Sequence, residues 1–180
     1  MSEWVNINRS DFPGFSDENL KKQPGRPYIQ QTQVSVQYTD LVAALNSTVS
    51  TGLFKIELLP DSHPLGPGQN VLVDGFTVIV PKKTLKDAFL SARQVFFDNL
   101  EHFEMFEQNQ EALLDASAVL LLMMPEHLTA VNARKRIIMS WENQSEEKGR
   151  KRAVMDLWML DSMLWSELKK HTKSPTLWSH

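Results

Sequence analysis

Cysteine is absent from this chain, and that absence removes several classes at once. Without a thiol there is no disulfide framework, no thiolate zinc site and no cysteine nucleophile. Glycine and proline are sparse, at 7 and 9 residues, which excludes collagen-like and low-complexity architectures. Neither sign of charge dominates: 19 Lys+Arg against 22 Asp+Glu leave a net −3. With a pI near 5.9 the electrostatic footprint of a dedicated nucleic-acid binder is missing. No apolar run approaches the roughly 20 residues that span a bilayer. The opening MSEWVNINRSDFPG is polar and lacks the apolar core of a signal peptide. The five histidines, at positions 63, 102, 127, 171 and 180, are dispersed without a His-x-x-x-His spacing, which argues against an intrinsic zinc site. Nucleophile-elbow, P-loop and dinucleotide-turn motifs are missing as well. These absences predict a soluble cytoplasmic protein with no nucleic-acid partner, no membrane span and no metal of its own.

What is present is ordinary globular material: 180 residues, 42% hydrophobic and 23% charged, enough for one domain with a real core. Residues 1–36 are rich in Pro, Gln, Asn and Ser and bury too little to offset their ordering entropy, so they are expected to form a disordered tail. A mainly α-helical domain is expected over 37–180. Its first helix starts near Thr39 or Asp40, carries Leu41, Val42, Leu45 and Val49, and stops before Gly52. The period then changes to β, with a small hairpin insertion at about 54–81 whose tight turn is Asp74-Gly75.

Beyond Pro81 the period becomes 3.6. A helix capped by Thr84 places Leu85, Phe89, Ala92, Phe96, Leu100 and Phe103 on one stripe. QEALLDASAVLLLMM, residues 110–124, forms a more fully apolar helix that Pro125 ends. Thr129 opens a third helix with Ala130, Ala133, Ile137 and Trp141 on one face, broken at Asn143 and Ser145. A fourth spans about 147–170 and turns Val154, Leu157, Met159, Leu160, Leu164 and Leu168 inward. PTLWSH begins a fifth with Pro175 in its opening turn. A chain that stops inside a helix start points to a truncated or partial product.

An internal repeat joins two of these segments. Pro125-Glu126-His127-Leu128-Thr129-Ala130-Val131-Asn132-Ala133-Arg134-Lys135-Arg136 is answered by Lys173-Ser174-Pro175-Thr176-Leu177-Trp178-Ser179-His180, and aligning Val131 with Trp178 sets a period of one helix pair. LLLMMPEHLTAVNARKRII followed by KSPTLWSH resembles the protein prenyltransferase α-subunit repeat family, and within it the divergent α-like subunits. The resemblance is strong over 119–138 and 173–180 and weaker across roughly 40–180. Two departures stand out: Val131 occupies a position where the family has Trp, and most later repeats of the family are missing. Pro175 follows the Lys-Ser-Pro pattern of the divergent subunits, where the diphosphate-binding version has an aromatic residue.

The resemblance implies an α-α superhelix of helical-hairpin repeats, preceded by the small β-hairpin. It implies an α-subunit-like scaffold for protein prenylation, geranylgeranyl transfer to protein cysteines, that is not catalytic by itself and works as a heterodimer. The partner would be a β subunit carrying the zinc, an acceptor protein would be the substrate, and this chain would bind no cofactor. By motif position Lys173 would meet the isoprenoid diphosphate, a compact cation opposite developing negative charge. Pro125, Thr129, Asn132, Arg134, Lys135, Trp178 and His180 would be the structural repeat motif. In it Trp178 and His180 pack within the stack, and Arg134, Lys135 and Arg136 face a partner or solvent. KGRKR at 148–152, beside Glu146 and Glu147, reads as a solvated helix start. Without the resemblance, the same residues describe a non-catalytic α-solenoid adaptor for protein–protein interaction.

Overall fold

The computed structural model describes residues 34–63, 65–101, 107–144, 146–166 and 168–179, all within one unit, Thr32–His180. The tail expected over 1–36 lies outside the described residues up to position 33, as do His102, Phe103, Ser145 and His180. The described part is mainly helical with a small three-stranded sheet.

Helix α1, Val36–Val49, begins earlier than Thr39 or Asp40 because Ser35 supplies the cap. The Ser35 hydroxyl accepts the Tyr38 N–H at 3.2 Å, and Ser91 fixes it in place, accepting from Ser35 N and donating to Ser35 Oγ, each at 3.0 Å. Tyr38, Leu41, Ala44, Leu45 and Val49 form the buried stripe.

Strands β1 (Lys55–Leu59), β2 (Leu72–Asp74) and β3 (Thr77–Pro81) form a sheet ordered β1-β3-β2. The Asp74-Gly75 turn is where the sequence puts it: β2 and β3 are antiparallel, Asp74 faces Thr77, and Gly75 takes φ +57°. The hairpin, however, is only part of the sheet, since β1 runs parallel to β3 with Ile56 opposite Val78 and Leu58 opposite Val80. The reason is burial. Ile56, Val78 and Val80 are sealed in the core while β2 is exposed along its length, so the most apolar strand takes the centre. The outer edge of β1 is closed by α5 (Glu146–Trp165): Phe54 N donates to Ser162 Oγ at 3.0 Å and Ile56 N to Ser166 Oγ at 2.7 Å.

Helix α2, Lys82–Leu100, follows β3 directly, with Pro81 as its N-cap and no side-chain cap bond. Thr84, expected to cap, is buried in the first turn instead, because Pro81 already holds the extended backbone that starts the helix. Leu85, Ala92 and Phe96 are buried as expected, with Phe89 and Leu100 partly so. Helix α3, Glu107–Met123, has seven consecutive buried residues, Ala116–Leu122. A helix buried all round needs neighbours on every side, and α1, α2 and α4 (Leu128–Gln144) supply them. Met123 packs against the core, whereas Met124 stands outside it.

On α4, Ala130, Ala133, Ile137 and Trp141 are buried as expected. The first residue is Leu128 and the cap is His127, not Thr129: His127 Nδ1 accepts the Ala130 N–H at 3.1 Å. On α5 the buried arc is Asp156, Met159, Leu160, Met163 and Leu164. Val154 and Leu157, expected inside, are 40% and 50% exposed, because the arc turned to α4 and β1 is centred on Asp156 and Met163. The helix also stops at Trp165, short of 170, and Leu168 packs from the following turn. Helix α6, Pro175–Trp178, opens with Pro175 as the sequence indicates.

Four helix starts, those of α1, α2, α4 and α6, recur at a nearly constant interval, with α3 and α5 lying between. Val36, Lys82, Leu128 and Pro175 are separated by 46, 46 and 47 residues. Three of the four share one capping contact, from a side chain just before the helix to an N–H three residues on: Ser35 to Tyr38, His127 to Ala130 and Ser174 to Leu177. After α1 the place of the returning helix in chain order is taken by the sheet.

Candidate functional site

Two places concentrate the polar side chains. The first is where the repeated motif meets itself. Ser174, fully buried, caps α6 and donates from Oγ to the Pro125 carbonyl at 3.2 Å. Thr176 Oγ1 donates to the Glu126 carboxylate, Lys135 Nζ donates to Ser179 O at 2.9 Å, and His171 Nε2 meets Leu121 O at 3.0 Å. The start of one helix pair is thus laid against the start of the next. Glu126 is held below the usual carboxylate range by hydrogen bonds from Ser174 and Thr176. His127 and His171 are pushed below the ordinary imidazole range, above all by burial, which favours the neutral ring. The His127 ring also meets Phe96 edge-on, centroids 5.9 Å apart.

Around this joint the expected motif residues separate. Pro125 is buried, while Thr129 and Asn132 are exposed. Trp178, expected to pack in the stack, is 66% exposed, with its indole Nε1 donating to Thr172 O at 3.1 Å. Its helix is one turn long and offers it no second wall. Val131, at the equivalent position, is fully buried without an indole. Lys173 is exposed in the turn before α6 and lines none of the cavities described here.

The second place is a cleft of about 320 Å³ where α1, α3, α4 and α5 converge. Arg134 is the centre. Rather than facing a partner or solvent it is 3% exposed, donating from Nη1 to Leu114 O at 2.6 Å and Ser117 Oγ at 2.7 Å, and from Nη2 to the Asp156 carboxylate. Asp156 is equally buried, so each charge needs the other. Beside them Asp115 accepts from Asn46 Nδ2 at 2.8 Å. Burial pushes its carboxyl up, and the Asn46 bond and the Arg134 charge pull back. Tyr38 is raised further still, by burial and then by Asp115. At the mouth Arg152 pairs with Glu111 and lies 4.2 Å over the Trp141 ring, whose Nε1 donates to Gln110 Oε1. Within KGRKR, then, Arg152 pairs with Glu111 and stacks on Trp141, and the Arg150 and Lys151 side chains are exposed to solvent.

Sequence reasoning missed Asp115, Asp156 and the serines Ser162 and Ser166. A signal existed for Arg134: it falls four residues after Ala130 and three before Ile137, on the stripe already identified as apolar. A charge there requires a buried counter-charge, and Asp156 sits equivalently ahead of Met159 and Leu160. Chemically the cleft joins helices: Nη atoms of Arg134 and Arg152 end on carboxylates, a hydroxyl and a carbonyl of neighbouring helices, while Arg134 Nε is buried without a hydrogen-bond partner. Among the described residues no group of three or more His, Asp or Glu is placed to hold a metal ion, and no helix is long and apolar enough to cross a membrane.

Searched against known proteins, the chain matches no family model and no curated protein.

Proposed function

We propose that this chain is an α-subunit-like helical scaffold of a protein prenyltransferase, acting with a zinc-bearing β subunit in prenyl transfer, geranylgeranyl in kind, to protein cysteines. One observation carries the reading: helix starts recur every 46 or 47 residues, with equivalent caps at His127 and Ser174 and hydrogen bonds joining the two turns. Stacked helical hairpins of that period make the superhelix the proposed role requires. The exposed stripe of α5 adds support. Val154, Leu157 and Trp165, the last 77% exposed, recur at helical spacing along one face, as a subunit surface does before its partner covers it.

In this reading the scaffold binds and positions, and the thiolate-activating metal belongs to the partner. Lys173, exposed at the turn, is free to reach a diphosphate held between subunits. The alternative, a solenoid adaptor with no link to prenyl transfer, draws on the buried Val131 where the family has Trp. Co-expression with a prenyltransferase β subunit discriminates the two. A stable heterodimer whose prenyl transfer falls on Lys173→Ala supports the scaffold. A chain that elutes without the β subunit overturns it in favour of the adaptor.

A further inference from the structure

Away from the polar cleft and the repeat joint, a pocket of about 330 Å³ opens between β1, the start of α2, the end of α3 and the turn after α5. Its wall is apolar: Leu58, Leu85, Leu122, Met123 and Leu168. Its other lining residues are cationic or imidazole: Lys82, Lys86, Lys169 and Lys170, all exposed, and His171, which is 3% exposed. Of these four lysines only Lys86 forms an ion pair among the described residues, a loose one with Asp61 at 3.8 Å. The first residue of α2 is Lys82, and its N-cap, Pro81, offers the first-turn N–H groups no side-chain oxygen. The positive end of a 19-residue helix therefore adds to the lysines. On the wall, His171 Nε2 is committed to Leu121 O while its buried Nδ1 has no hydrogen-bond partner.

An apolar cavity with a cationic mouth accepts a molecule that is greasy at one end and anionic at the other. We propose that this pocket binds a small anionic amphiphile, a medium-length aliphatic carboxylate, with its chain against Leu85, Leu122 and Met123 and its carboxylate among Lys82, Lys169 and Lys170. At roughly 30 Å³ per water-sized group, the volume holds about ten heavy atoms, within the small end of ligand pockets. A ligand of that size fills the cavity with its chain and leaves the charged head at the lysines. The exposed ammonium groups at the mouth attract an anionic head. The inference stands independently of the proposed prenyltransferase role, because Lys173 and the α5 stripe take no part in it.

Isothermal titration calorimetry of the full chain with decanoate, decanol and decyltrimethylammonium tests it. Decanoate is expected to bind saturably with one site, decanol about tenfold more weakly, and the cation not at all. The double substitution Lys169→Glu/Lys170→Glu lies on exposed residues and is expected to weaken decanoate about tenfold with the thermal midpoint unchanged. Leu168→Trp, which narrows the entrance, is expected to reduce binding of both decanoate and decanol. Equal binding of decanoate and decanol, an unchanged affinity after charge reversal, or association only with anionic vesicles and not with monomeric decanoate would each overturn the assignment.

Discussion

Arg134 illustrates how one residue changes meaning on burial. In the sequence it belongs to an Arg-Lys-Arg run on a helix; in the fold it is the buried hub of three helices. Removing one partner of a buried pair strands the other charge, so Asp156→Ala is expected to cost ~3–5 kcal/mol, measured by urea unfolding. The double variant Arg134→Met/Asp156→Leu should recover much of that loss. If the double is as unstable as the single, stranded charge is not the cause. Asp115 is the second test at this scale. Its folded pKa lies above the ordinary 3.8, so the folded protein binds the proton more tightly than the unfolded chain. Stability from this group therefore rises as pH falls through the folded pKa towards 3.8, and is lost as pH rises back through it. Asp115→Asn retains an oxygen for the Asn46 amide and removes the charge. The stability gap between variant and wild type should favour the variant at pH 7 and shrink on acidification; a gap independent of pH would remove burial as the cause. His127 and His171 bear on the control. Their folded pKa values lie below 6.5, so both proteins lose stability as pH drops below 6.5, and only the difference between the two isolates Asp115.

At the scale of elements, strand β1 depends on a helix far along the chain. The N–H groups of Phe54 and Ile56 end on Ser162 of α5 and Ser166 just past its last residue, which lie one turn apart and are buried. Ser162→Ala/Ser166→Ala leaves two buried donors unpaired, at about 1–3 kcal/mol each. Hydrogen exchange should accelerate at Phe54 and Ile56 before it changes in α2 and α3; uniform acceleration across the chain would mean the serines act only on global stability. The strand itself was legible as an apolar run, and the Asp74-Gly75 turn as a local signal. The parallel pairing of β1 with β3 was not, because it is decided by which strand buries more apolar surface on the helices. The cap of α4 was missed for a related reason: Thr129 is the better capping residue by type, but His127 is the one that Phe96 holds against the Ala130 N–H.

For the whole molecule, the proposed partner surface is the outward stripe of α5. Val154 and Leu157 were counted with the core because a 3.6-residue period marks an apolar face without saying what covers it. Leu157→Glu/Trp165→Glu, both on exposed positions, should leave stability within about 0.5 kcal/mol. Under the proposed scaffold role, the same variant should lose co-purification with a β subunit. A large fall in the thermal midpoint would place these side chains in the core after all, and retained co-purification would move the interface elsewhere.

Helix content, the order of elements, the tight turn and the interval between Leu128 and Pro175 were determined by the sequence itself. They follow from local rules of periodicity, capping and turn chemistry that act over a few residues. The pairing of Arg134 with Asp156, the parallel strand closed by Ser162 and Ser166, the outward turn of Val154 and Leu157 and the lysine-rimmed pocket were decided only by tertiary structure. Each depends on residues far apart in sequence being brought to one place, where burial sets the worth of a charge, a free N–H or an apolar side chain.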